Sequence, residues 1–108
     1  MNKLIVFESS NKKLAFELSQ KTAYDLNYLW INNINNIDNL LKTNNVICDG
    51  YFKCLNINKL IVIHDIEESL EQMQNLKQIE QTVSKALSIE TMGNKEIILK
   101  IIRKFITD

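Results

Sequence analysis

Residues 3–19 read KLIVFESSNKKLAFELS. How this stretch is parsed decides the fold. Residues 3–8 (KLIVFE) form a short apolar run that reads as a strand. Residues 13–19 (KLAFELS) alternate, with Leu14, Phe16 and Leu18 on one face and Ala15, Glu17 and Ser19 on the other. Ser9-Ser10-Asn11-Lys12 between them is turn chemistry. The reading is therefore an N-terminal hairpin, and a hairpin joins its strands antiparallel.

The first strand has a twin. Asn2-Lys3-Leu4-Ile5-Val6 recurs letter for letter as Asn58-Lys59-Leu60-Ile61-Val62. Residues 59–64 (KLIVIH) are nearly all apolar, which predicts a central strand covered on both faces. Residues 45–48 (NVIC) and 51–55 (YFKCL) flank Asp49-Gly50, a strong hairpin signal. With that turn, Cys48 and Cys54 point to opposite faces and stay free thiols.

Helical signals separate these strands. Thr22 and Asp25 fit a capping box. Ala23, Leu26, Trp30, Ile34, Ile37 and Leu41 come next at steps of three and four, predicting one long helix from Thr22 to Leu41. Its other face is Asn-rich, and Asn is a poor helix former, so packing must hold it. A second long helix is predicted from Asp65, capped with Glu68 in the reciprocal position, through Leu70, Met73, Leu76, Ile79 and Val83 to Leu87. Gly93 suits a stop, and Asn94 suits a cap for a short helix over 95–106. A strand is the alternative for that Ile-rich segment.

The expectation is a single α+β domain spanning residues 1–108. It has a five-stranded, mostly antiparallel sheet in the order β-β-α-β-β-β-α-α. Two long amphipathic helices and one short C-terminal helix complete it.

Composition narrows function. Thirteen Lys and Arg balance thirteen Asp and Glu. Without a basic excess, nucleic acid is a disfavoured partner. No run of 18 apolar residues marks a membrane span. The N-terminal apolar run is too short for a signal-peptide core, so a cytoplasmic location is expected. Ile and Asn are abundant and Lys outnumbers Arg twelve to one, a pattern that suits AT-rich coding sequence.

Chemistry-bearing motifs are scarce. His64 is the sole histidine and adjoins Asp65. A carboxylate-tuned imidazole is a general-base arrangement, but Asp65 is explained by capping and no nucleophile is assignable. One His, two divergent Cys and scattered carboxylates do not make a metal site. Gly50 and Gly93 are the only glycines, too few for a phosphate loop. The chain is expected to be no enzyme and to take no cofactor, metal or small-molecule substrate.

Trp30 lies mid-stripe with Tyr24 and Tyr28 before it on the same expected helix. Aromatics on a helix are core or interface anchors. Tyr24, Asn27, Tyr28, Asn35 and Gln74 are the interface candidates.

The element order resembles the longin family. The stretch from LIVFESSNKKLAFEL through VICDGYFKCLNINKLIVIHDIEESLEQM is similar to a roadblock (light-chain-7) domain in topology and spacing. That resemblance implies a non-enzymatic, often dimeric scaffold associated with small GTPases or trafficking complexes. The expected function is a protein–protein interaction module, with a homodimer as the expected assembly. The alternative is a small phage or mobile-element inhibitor that binds and blocks a host complex.

Overall fold

The computed structural model describes residues 2–33, 35–50, 56–91 and 93–108. The first strand is where it is expected, β1 (Leu4–Ser9). The next element is a helix, α1 (Lys12–Leu26), instead of a returning strand. KLAFELS carries two periods at once. Its alternation suits a strand, but Ala15, Leu18, Ser19, Thr22 and Ala23 are the buried positions, and their steps of three and four are helical. Asn11 begins the helix by accepting from the Leu14 N–H at 3.2 Å.

The expected helix from Thr22 to Leu41 is replaced by three elements. Thr22 is interior to α1, where its hydroxyl donates back to Leu18 O at 2.7 Å. Asn27 ends α1 with φ 57°, the left-handed conformation Asn tolerates best after Gly. Then come the edge strand β2 (Leu29–Ile31) and the short helix α2 (Ile37–Leu41).

The strand β3 (Val46–Asp49) pairs with β1 on one side and β2 on the other. Both its edges are taken, so the expected hairpin about Asp49-Gly50 has no edge to use. The returning strand at 51–55, with Cys54, lies outside the described residues. β4 (Lys59–His64) is sheet-interior as expected, between β1 and β5. The second long helix is shorter than expected. Ser69, not Asp65, caps α3 (Leu70–Glu80), with Gln72 completing a capping box. Its expected end is instead β5 (Ala86–Glu90), whose residues alternate exposed and half-buried. Asn94 does cap the last helix, α4 (Lys95–Thr107).

The sheet order is β2-β3-β1-β4-β5, and all four pairings are parallel. The mostly antiparallel α+β sheet is thus corrected to a doubly wound parallel one. Parallel neighbours need crossovers, and helices supply most of them here. The meander behind the roadblock and longin resemblance does not occur among the described residues.

Helices cover both faces. Ile5, Phe7, Ile47, Ile61 and Ile63 pack under α1 and α4, against Leu18, Ala23, Ile98, Leu99, Ile102 and Ile106. Leu4, Val6, Val46, Cys48, Leu60 and Val62 pack under α2 and α3, against Ile37 and Leu76. The twin NKLIV segments are the neighbouring strands β1 and β4. Their side chains face alike, with Leu4 and Leu60 on one side and Ile5 and Ile61 on the other. The middle of a strand buried on both faces is apolar on both, which accounts for the shared Leu-Ile-Val without a duplication.

Asparagines tie the strand starts. Asn45 accepts from the Lys3 N–H at 2.8 Å, and Asn58 from the Leu4 N–H at 2.7 Å. Lys59 is buried, and its ammonium donates to the carbonyls of Phe105 and Ile106 at the C-terminal end of α4. A cation there complements the negative end of the helix dipole. Glu17–Lys95 at 3.1 Å and Asp25–Arg103 at 2.9 Å join α1 to α4.

Candidate functional site

In an open parallel sheet, ligands usually bind where adjacent strands send their chains to opposite faces, outside the strand C-termini. β1 and β4 are such a pair here. β1 leads to α1 on one face, and β4 leads to α3 on the other.

That crevice is bridged by the protein's own side chains. The Ser9 hydroxyl donates to Ile63 O at 2.6 Å. The Ser10 hydroxyl donates to Glu68 Oε2 at 2.8 Å. Asn11 Nδ2 donates to Asp65 Oδ2 at 3.0 Å. The first turn of α1 is occupied by the Asn11 cap and by an ion pair between Lys12 and buried Glu8. No glycine lies between β1 and α1 to let the backbone cradle a phosphate.

His64 sits at the centre of this edge. Its Nδ1 is 2.8 Å from Glu68 Oε1, and its Nε2 is 3.1 Å from Glu80 Oε1. An ionised carboxylate only accepts, so with Glu68 and Glu80 both ionised the two ring nitrogens donate and the ring is an imidazolium. Burial by itself favours the neutral ring. The hydrogen bonds to Glu68 and Glu80, then their charges, outweigh burial and hold the imidazole above its ordinary range. Glu68 responds in the opposite sense. Its side chain is 1% exposed, and burial alone raises a carboxyl. Hydrogen bonds from His64 and Ser10, the imidazolium charge and the Asp65 N–H outweigh that and pull it below the usual carboxylate range. In that protonated state, with both nitrogens donating, His64 has no lone pair to accept a proton from a nucleophile. The sequence offered one signal for this cluster, Glu68 four residues after His64. Glu80 and Ser10 had none, because tertiary packing alone brings them in.

Beside the cluster, between α3 and β5, a cavity of about 600 Å³ is lined by His64, Asp65, Ile66, Met73, Lys77 and Glu90, among others. Among the described residues, no set of three or more His, Cys, Asp or Glu converges to hold a metal. None of their helices is long and apolar enough to cross a membrane.

The interface candidates divide. Tyr24 is 82% exposed on α1. Tyr24 and half-buried Tyr28 line one shallow groove of about 580 Å³ together with Trp30. Asn27 is the left-handed cap of α1, one turn past Tyr24. Asn35 is exposed in the loop between β2 and α2. Gln74 is exposed on α3, across the sheet from α1, so it does not join the others.

Two further aromatics complete the surface. Phe16, 43% exposed, meets Trp30 edge to face at a centroid distance of 5.2 Å. The Trp30 indole N–H donates to Ser19 Oγ at 2.9 Å, which fixes the ring. Lys21 lies 5.6 Å from the centre of the Tyr24 ring. The strand reading hides Phe16, because it places the ring in the core with Leu14 and Leu18.

The chain is thus a doubly wound parallel α/β domain whose switch-point crevice is bridged from within. No family model matches it, and no curated protein is detectably similar.

Proposed function

We propose that this chain is a non-catalytic protein-interaction module that self-associates through the aromatic surface where α1 meets the edge strand β2. One observation carries the reading: Phe16, Tyr24, Tyr28 and Trp30 come together on one side of the sheet. Aromatic side chains contribute large apolar area at small entropic cost, and they dominate interface hot spots. Among the described residues β2 also leaves one edge unpaired, a template a second strand can use.

Two features of the other end of the molecule support a binding role over catalysis. The crevice between β1 and β4 is spanned by internal hydrogen bonds, and the imidazole is committed to two carboxylates. A dimeric scaffold is one form such a module takes. The buried free thiol of Cys48 supports a reducing, cytoplasmic setting.

Sedimentation of the wild-type chain and of Tyr24→Glu tests this. The expected result is a concentration-dependent dimer at micromolar protein that Tyr24→Glu dissociates without loss of fold. A wild-type chain that stays monomeric, or a dimer indifferent to Tyr24→Glu, overturns the reading.

A further inference from the structure

We propose that His64, clasped between Glu68 and Glu80, is a proton-controlled latch that fastens α3 to the sheet. The two carboxylates belong to opposite ends of one segment. Glu68 directly precedes the Ser69 cap, and Glu80 is the last residue of α3. One imidazolium at the end of β4 therefore holds both ends of the helix. α3 has little else to hold it. Leu76 is its one buried residue, with Met73 and Ile79 half-buried on the helix and Val83 just beyond its end.

The two contacts are unequal. Glu68 is 1% exposed and also accepts from the Ser10 hydroxyl and the Asp65 N–H. Glu80 is 24% exposed and can hydrate in place. A neutral imidazole has one N–H and one lone pair. On losing its proton, His64 keeps its donor on the buried Glu68, and its bare Nε2 then faces the Glu80 carboxylate. Two acceptors repel, so the Glu80 end lets go and α3 opens from its C-terminus. Opening uncovers Leu76 and the sheet face of Leu60 and Val62.

The other charges around His64 do not replace the lost contact. Asp65 is held by Asn11, and Glu8 is paired with Lys12. Glu90, the β5 register partner of His64, is a third carboxylate, exposed. Lys77 on α3 is a cation on the cavity wall.

The direction with pH comes from linkage. The latched state binds the His64 proton more tightly than the open state, in which Glu68 still holds the ring but Glu80 does not, so latching is complete below the open-state midpoint. It weakens as pH rises through the latched midpoint, and the opening constant grows up to about tenfold per pH unit between the two. The acid boundary is set by Glu68, below its ordinary value of 4.5.

Hydrogen exchange of the intact chain, read by NMR and corrected for intrinsic rates, tests the latch. The His64 ring proton reports the titration directly. The expected result is that amides from Met73 to Glu80 open ahead of those in α1, with an opening constant that climbs through the His64 midpoint. Glu80→Gln gives the decisive comparison. The side-chain amide it introduces can donate to neutral Nε2, so this variant should stay latched at alkaline pH and lose most of the slope. The latch is overturned if α3 exchanges only together with α1, if α3 opening ignores the His64 titration, or if Glu80→Gln keeps the wild-type slope.

Discussion

Replacing Glu68 with alanine removes the acceptor on which three donors converge. His64 Nδ1 at 2.8 Å, the Ser10 hydroxyl at 2.8 Å and the Asp65 N–H at 3.3 Å all lose their partner. Truncating one member of a buried ion pair costs about 3–5 kcal/mol, because the other charge is left uncompensated. Here His64 keeps Glu80, and half-buried Ser10 can turn to water. The lower end applies, about 3 kcal/mol. For a domain of this size that corresponds to a fall in Tm of roughly 15 °C. In urea, the midpoint should drop by about 1–3 M. The pH dependence supplies an independent check. The Glu68 carboxyl titrates below 4.5 in the folded chain, so its contribution is present above that value. It is lost as pH falls through the folded midpoint. Wild type and Glu68→Ala should therefore differ fully near neutral pH and converge in acid. Equilibrium urea unfolding across that range measures both. A neutral-pH difference under about 1 kcal/mol, or one that persists unchanged in acid, would refute the account of this cluster.

Three further outcomes are expected. Ser19→Ala removes the acceptor of the Trp30 indole and should cost about 1 kcal/mol, with a shift in the emission of the single tryptophan; an unchanged spectrum and stability would break that link. Asn27→Gly should hold or raise stability by up to about 1 kcal/mol, while Asn27→Val at φ 57° should lower it by about 1–2 kcal/mol, read by thermal melts. Burial first, then the charges of Asp49 and Glu8, push the Cys48 thiol up to about 11, so alkylation near pH 8 should leave it unmodified until the chain unfolds; rapid native labelling at Cys48 by mass spectrometry would contradict its placement.

Some of this architecture is legible in local sequence. The Leu-Ile-Val-Phe of β1 and the Leu-Ile-Val-Ile of β4 are apolar at four successive positions, the pattern of a strand sheltered on both faces. α4 is signalled by Asn94 and by Ile98 and Ile102, which are buried, but Ile97 and Ile101 of the expected face are exposed and the Ile-rich run also fits a strand. The aromatic surface is half visible, through Tyr24 and Tyr28. ALSIE alternates cleanly, yet the helical reading absorbs it because Leu87 also continues the stripe of the preceding helix. Local pattern does not set strand direction. An apolar strand satisfies its faces equally well beside a parallel or an antiparallel neighbour, and the choice rests on the chain between the strands. That choice turns on KLAFELS, whose residues fit both periods. As a helix, it buries Ala15, Leu18, Ser19, Thr22 and Ala23 and carries the chain over β3 to the sheet edge. As a strand, it would compete with β3 and β4 for the edges of β1. Sequence by itself determined which segments are apolar, the Asn94 start signal ahead of the last segment and that Glu68 lies four residues after His64. Tertiary structure alone decided the parallel order, the closing of the crevice by Ser10 and Asn11, and the arrival of Glu80 at His64, because each depends on residues far apart in the chain meeting across a sheet.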